Sequence, residues 1–288
     1  MELERMYTVL MDILHAIFLG IVEGLTEFLP VSSTGHLIVA ENMIGFHDTA
    51  ELFTIVIQIG AIAAVVWHYH VDLIKRITGL FKQQAGAKRF WLNLVIATIP
   101  AGLTALLLDK TVQSWAKPGV VAIALILGGA VLWLVEEYHQ ADKPRPRQMG
   151  HITEANLDDI TPKQALGVGV AQVAALVPGV SRSGATIVGG LLSGLDRVTA
   201  TAFSFYLSIP IMVLASGYKI IKQRHDITAL PGGSAALVAG IIAAFITGLL
   251  AVSWLLRYIS RNDFKNFAYY RIVFGIFVLF LVVTRLIR

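Results

Sequence analysis

Apolar residues run through this chain in blocks long enough to cross a bilayer, and polar residues break the pattern in two regions. Uninterrupted runs at 52–69, 91–108, 119–135, 200–220, 235–256 and 267–286 approach or exceed the roughly 20 residues that a membrane-spanning helix needs. They predict six transmembrane helices. Two further regions, 10–45 and 164–194, are apolar at both ends but carry Pro, Gly, Ser and Thr in the middle. Each predicts two short helices around a polar turn, neither long enough to cross. Irregular backbone survives at membrane depth only under cover of protein or beside a water-filled cavity, so both regions are expected as re-entrant helical hairpins. The expected fold class is an all-α polytopic membrane protein.

An internal repeat organises these elements. Displaced by 149 residues, Gly20 falls on Gly169, Val31 on Val180, Ser32 on Ser181, Gly35 on Gly184 and Gly45 on Gly194, while Ile38 and Val39 meet Ile187 and Val188. The matches gather in the interrupted regions, and three spans follow each. Three is odd, so the second copy is expected to enter the membrane from the opposite side. That is an inverted-topology repeat, whose site lies where the broken helices meet. Residues 1–288 then form one integral membrane domain, with a first repeat at 1–140, a cytoplasmic loop at 141–162 and a second repeat at 163–288.

Composition agrees with the pattern. Of 288 residues, 56% are hydrophobic and 15% charged, where a soluble domain carries about 25% charge. The absence of cysteine excludes disulfides and thiolate metal sites. No cleavable leader is expected, because the mixed-charge start is followed by an apolar run that contains glutamates. The net charge of +4 is small and sits in connections. Lys75, Arg76, Lys82, Lys88 and Arg89 fill one, Lys143, Arg145, Arg147 and Lys163 a second, and Arg257, Arg261 and Lys265 a third. The positive-inside rule puts all three in the cytoplasm and both termini, with the mouth of the first hairpin, outside. Basic residues so placed signal orientation; no nucleic-acid partner is expected.

Glu23 and Glu27 lie four residues apart in an otherwise apolar run. On a helix they share a face and repel, and an ionised group in hydrocarbon costs about 3 kcal/mol on insertion scales. A bound cation or a facing arginine is the simplest compensation. The run leads into Val31-Ser-Ser-Thr-Gly-His36. Where the first repeat has Glu23, Glu27, Ser33 and His36, the second has Gln172, Leu176, Arg182 and Ala185, with Ser181, Ser183 and Thr186 beside the arginine. Face to face, the two turns would set carboxylates on one wall of a pocket and a guanidinium on the other. Arg suits phosphate recognition, helix-start amides and hydroxyls add anion donors, and Glu oxygens suit Mg²⁺ or Ca²⁺. Ser33 and His36, three apart, are close enough for a nucleophile–base pair on a helical turn. Thr34, Ser183 and Thr186 would serve equally as helix caps. Gln58 and Asn93 are expected to bond across helices, and Arg271 in the last span has no evident role.

The segments Glu23-Gly-Leu-Thr-Glu27-Phe-Leu-Pro-Val-Ser-Ser-Thr-Gly-His36 and Pro178-Gly-Val-Ser-Arg-Ser-Gly-Ala-Thr186 resemble the two signature motifs of undecaprenyl-pyrophosphate phosphatases. These bacterial membrane enzymes are also called bacitracin-resistance proteins. Leu157-Asp-Asp-Ile-Thr161, Phe203-Ser-Phe205 with Pro210, and Tyr270-Arg271 extend the likeness over essentially the whole chain. The resemblance implies hydrolysis of undecaprenyl pyrophosphate to undecaprenyl phosphate and inorganic phosphate, recycling the carrier for peptidoglycan synthesis. It also implies a divalent cation, Mg²⁺ or Ca²⁺, a polyprenyl diphosphate lipid as substrate, and a site opening to the outer face of the bacterial cytoplasmic (inner) membrane. A homodimer is compatible with it. Carried over by position, Glu23 and Glu27 would be the metal or acid–base pair, Ser33 or His36 the nucleophile or base, and Arg182 the pyrophosphate clamp. Ser32, Thr34, Gln172, Ser181, Ser183 and Thr186 are expected around the substrate.

A polyprenyl-phosphate transporter or flippase is the rival reading, since it too uses inverted repeats and broken helices. The asymmetry between the two turns discriminates them, since alternating access needs only a shared site, whereas hydrolysis needs a metal, a nucleophile and an anion clamp. The other class of membrane lipid phosphatase uses paired histidines, and the required distal histidine is missing after Ser181-Arg182.

Overall fold

A computed structural model describes residues 2–46, 52–138, 155–222 and 232–287. These form eleven α-helices, with no strand among the described residues. The first half contains α1 (Glu2–Thr26), α2 (Ser33–Ile44), α3 (Leu52–His68), α4 (His70–Phe81), α5 (Ala85–Ser114) and α6 (Pro118–Tyr138). The second contains α7 (Pro162–Val173), α8 (Arg182–Leu192), α9 (Arg197–Lys222), α10 (Gly233–Ile259) and α11 (Lys265–Val283). Most of the predicted 141–162 connection, and the terminal residues 1 and 288, lie outside the described residues.

Six helices are long and apolar enough to cross a membrane: residues 7–26 of α1, 85–108 of α5, and α6, α9, α10 and α11. This is a multi-pass membrane protein. Two of the expected boundaries change. The 10–45 region is not two short helices, because α1 has 25 residues and its apolar part alone is of spanning length. The apolar count begins near Leu10, but the helix backbone continues back to Glu2. Glu23 does not end it either, since a buried carboxylate leaves the backbone ladder intact. The 52–69 run also differs. α3 ends at His68 and the chain bends by 71° into α4, so these two helices satisfy the spanning criterion only as a broken pair. The 164–194 region does consist of two short helices, α7 and α8, around a turn.

Local sequence explains the ends that matter for the site. α7 opens with a capping box, in which Thr161 accepts from the Gln164 amide, the Gln164 side chain accepts from the Thr161 amide, and Pro162 takes the first helical position. α2 stops at Gly45, whose φ of 66° is a left-handed C-cap. α1 lies along α10 and α7 along α5. Both contacts are backbone-close: a Cβ on Gly20 would stand 2.3 Å from the Gly240 carbonyl oxygen, and one on Gly169 would stand 2.6 Å from that of Ala97. Gly20 and Gly169 are a matched pair in the repeat, as are the helices they pack against. α11 runs beside α6, which also supports α2 and α8. The two polar turns, 27–32 and 177–181, therefore meet against α6, α9 and α11.

Candidate active site

Both turns end on a serine in a conformation that L-residues avoid. Ser32 has φ 71° and ψ 98°, and Ser181 has φ 74° and ψ 117°. Each directly precedes a short helix, so α2 and α8 start at the same place with their free amide groups. Positive φ in a non-glycine residue costs on the order of 1–3 kcal/mol and gathers at functional sites. Ser181 recovers part of that as the N-cap, accepting from the Gly184 amide at 3.1 Å. Ser32 makes no capping bond.

Glu27 joins the halves. Ser33 donates its hydroxyl to Glu27 Oε2 at 2.6 Å, and Arg182 Nη2 donates to Glu27 Oε1 at 3.2 Å. The carboxylate is 7% exposed. Arg182 also donates through Nη1 to the Ser204 carbonyl at 3.0 Å, faces the Phe28 ring, and leaves Nε without a partner. Glu23 lies one turn earlier and is 1% exposed, and neither of its oxygens has a hydrogen-bond partner among the described residues. The polar groups around it are Glu27, Gln58 and Arg182. An unpaired carboxylate in such a place is costly.

The remaining expected residues divide. Ser183 donates to the Leu29 carbonyl at 2.9 Å, which ties the second turn to the first. Ser181 and Ser183 share a hydrogen bond at 3.0 Å. Thr186 bonds back to the Arg182 and Ser183 carbonyls and pairs with the Ser204 hydroxyl at 2.6 Å, a structural role on α8. Thr34 is exposed in the first turn of α2. Gln172 is buried and turns to the Ala97 carbonyl of α5, away from the acidic cluster. Asn93 does bond outside its helix, to the Ile160 carbonyl at 2.6 Å.

His36 does not pair with Ser33. Its Nδ1 lies 2.8 Å from the Ser32 carbonyl and must be the protonated nitrogen there, because a carbonyl only accepts. Nε2 lies 2.6 Å from the Tyr270 hydroxyl. The ring also stacks on Phe274, with centroids 4.2 Å apart. The hydrogen-bonded partner of the Ser33 hydroxyl is therefore Glu27.

Arg271 is the group that residue-level reading left without a role. It is 1% exposed, and its guanidinium donates to the Pro30 carbonyl of the first turn and to the Gly179 and Val180 carbonyls of the second, at 3.2, 3.1 and 2.8 Å. It also reaches the Ala124 and Leu125 carbonyls of α6, each at 3.4 Å. Room for it comes from Gly128, where a Cβ would fall 2.1 Å from Nη2. Tyr270, Ser204 and Phe28 lie in the segments that carry the family likeness, but none is charged and none is given a role from sequence.

The model of the bacitracin resistance protein family, BacA, matches residues 16–277. The chain belongs to this family. Among curated relatives, the protein named undecaprenyl-diphosphatase 1 of Burkholderia thailandensis is 50% identical over 270 residues, covering 93% of this chain and 94% of that one. Its namesake in Burkholderia cenocepacia is 49% identical over the same shares. Undecaprenyl-diphosphatase of Burkholderia mallei is 50% identical, again over 93% and 94%. Family membership spans both polar turns and the helices that carry them.

Proposed function

We propose that the protein is an undecaprenyl-diphosphatase, hydrolysing undecaprenyl pyrophosphate to undecaprenyl phosphate and inorganic phosphate. The observation that carries this reading is the Glu27 carboxylate, hydrogen-bonded at once to a hydroxyl nucleophile candidate, Ser33, and to the guanidinium of Arg182. Transport needs no such triad.

The donor set fits a hard divalent cation, Mg²⁺ or Ca²⁺. Glu23 offers two buried oxygens beside Gln58 and next to Glu27. No group of three or more His, Cys, Asp or Glu that could hold a metal occurs among the described residues. Glu23 and Glu27 would therefore hold the ion together with substrate oxygens, and when bound it would neutralise charge on the diphosphate. The protein's own groups do the rest. Arg182 exchanges its contact with Glu27 for the terminal phosphoryl oxygens, and the amides at the start of α8 face the same anion. Glu27 accepts the Ser33 proton as the hydroxyl oxygen attacks the distal phosphorus. The anhydride P–O bond breaks, and its electron pair leaves with the polyprenyl phosphate. Water then releases phosphate from the serine. In the alternative sequence Glu27 deprotonates water directly, with Ser33 orienting it. Arg271 touches no reacting atom; it holds the two turns in register.

We further place the protein in the bacterial inner membrane, with its termini outside, its site opening to the outer face, and the halves inserted in opposite senses. The matched helix pairs α1–α10 and α7–α5, and the basic connections, support this placement.

Purified protein in detergent, given polyprenyl diphosphate and Mg²⁺ or Ca²⁺, should release one phosphate per polyprenyl phosphate formed, and a chelator should stop it. Lipid movement between leaflets without phosphate release would instead favour the transporter.

A further inference from the structure

α4 takes no part in the chemistry above. Its 12 residues make about 18 Å of helix axis, too short for a hydrocarbon core of roughly 30 Å. It leaves the apolar α3 at 71°, so beside a helix that runs into the membrane it lies nearer the membrane plane. Trp67, exposed at the bend and stacked on His70, is the side-chain type that anchors at the interface.

The two faces of α4 differ. Inward, Asp72 accepts from the Tyr206 hydroxyl of α9 and from Arg76 Nε, the latter at 2.6 Å. Arg76 lies 4.1 Å from the Phe90 ring of α5 and reaches Asp158 at 2.5 Å. Outward, Val71, Ile74, Ile77 and Phe81 follow one another three or four residues apart and are all exposed, Phe81 by 81%. Lys75 and Lys82, two turns apart, flank that stripe, and Lys88 follows at the start of α5. These three lysines are exposed. The acids in contact with α4, Asp72 and Asp158, are both taken up by Arg76, so the charge offered outward is positive.

An apolar stripe bordered by lysines is the pattern of a helix seated in a membrane surface. Anionic headgroups attract each basic residue there, and neutral headgroups do not. We propose that the outer face of α4, with Lys75, Lys82 and Lys88, is a binding surface for anionic phospholipid, and that its occupation steadies the site through α9. Ser204 and Tyr206 are two residues apart on α9, so their side chains point to nearly opposite sides. Tyr206 is held by Asp72 of α4. Ser204 pairs with the Thr186 hydroxyl of α8, and its carbonyl accepts from Arg182 Nη1 at 3.0 Å. α9 therefore stands between the lipid-facing helix and the arginine of the site. Only this coupling rests on the diphosphatase reading; the lipid surface does not.

The chain has no cysteine, so Phe81→Cys provides a single site for a bimane label in the full protein, held in nanodiscs. A small fraction of brominated phosphatidylglycerol should quench that label about threefold more than the same fraction of brominated phosphatidylcholine. Adding Lys75→Gln, Lys82→Gln and Lys88→Gln should bring the two to parity. Equal quenching before those changes, or a preference that survives them, overturns the lipid surface. Quenching by aqueous acrylamide alone, the result for a face reserved for a soluble partner, overturns it too. In the unlabelled protein, phosphate release should be about fivefold faster in anionic than in neutral bilayers, a coupling of ordinary size. The triple lysine variant and Tyr206→Phe should both lose that response, while Tyr206→Phe keeps the lipid preference at position 81, which shows that it is folded. A rate indifferent to bilayer charge, or one that still responds in Tyr206→Phe, overturns the coupling. Absence of phosphate release in every bilayer counts against the diphosphatase reading, and the quenching result then decides the lipid surface by itself.

Discussion

Glu27, Ser33 and Arg182 could be named from sequence because their types are out of place in an apolar run, and a charge in hydrocarbon demands a partner. Arg271 was equally out of place, but its partners are five backbone carbonyls, and carbonyls leave no mark on a sequence. Arg271→Met should strip those acceptors and lower stability by about 3 kcal/mol or more, read as a fall in thermal unfolding temperature in detergent. Arg271→Lys should recover only part of it, because an ammonium cannot reach both turns at once. For Ser33 both His36 and Glu27 were open as proton acceptors, and the hydrogen bond falls on Glu27, since a spacing of three does not say which way either side chain points. Glu27→Gln should cut kcat by about 10²–10⁴-fold, more than His36→Asn, because the His36 imidazole bonds to the Ser32 carbonyl and the Tyr270 hydroxyl and stacks on Phe274 rather than touching Ser33. Rapid quenching followed by mass spectrometry should find phosphoserine at position 33. Near-normal turnover of Ser33→Ala would remove the covalent step and leave the water route.

At the level of elements, the broken regions were readable because Pro, Gly, Ser and Thr interrupt an apolar period, and the turn positions followed. The length of α1 was not, because helices extend through charged ends that a hydrophobic count discards. The bend between α3 and α4 was equally hidden, since no Pro or Gly marks it. The strained serines carry their own test. At ordinary positions Ala is more favourable than Gly, but at φ near 70° the order reverses. Ser32→Gly should therefore be more stable than Ser32→Ala by about 1 kcal/mol, with the same order at position 181. Equal stabilities, measured by denaturation of both pairs, would mean that the turns relax when the hydroxyl is removed.

Across the whole molecule we propose that the repeat is the organising device, bringing two similar turns together that differ in carrying carboxylates on one side and a guanidinium on the other. The proposed opposite insertion of the halves is open to a direct check, because the chain has no cysteine. Lys117→Cys, between α5 and α6, should react with an impermeant thiol reagent from outside the cell. Asn262→Cys, between α10 and α11, should react only after the membrane is opened. Labelling of both from one side would contradict the proposed orientation while leaving the site chemistry untouched.

The account depends most on Arg182 and Glu27 gripping one diphosphate from opposite turns. The decisive measurement is the rate of phosphate release from the 55-carbon diphosphate by Arg182→Ala, in protein shown by its unfolding profile to be folded. A fall of about 10²–10³-fold, the effect of losing a charge-stabilising donor, is the predicted result. Release within a few-fold of wild type would place the reacting phosphate somewhere else.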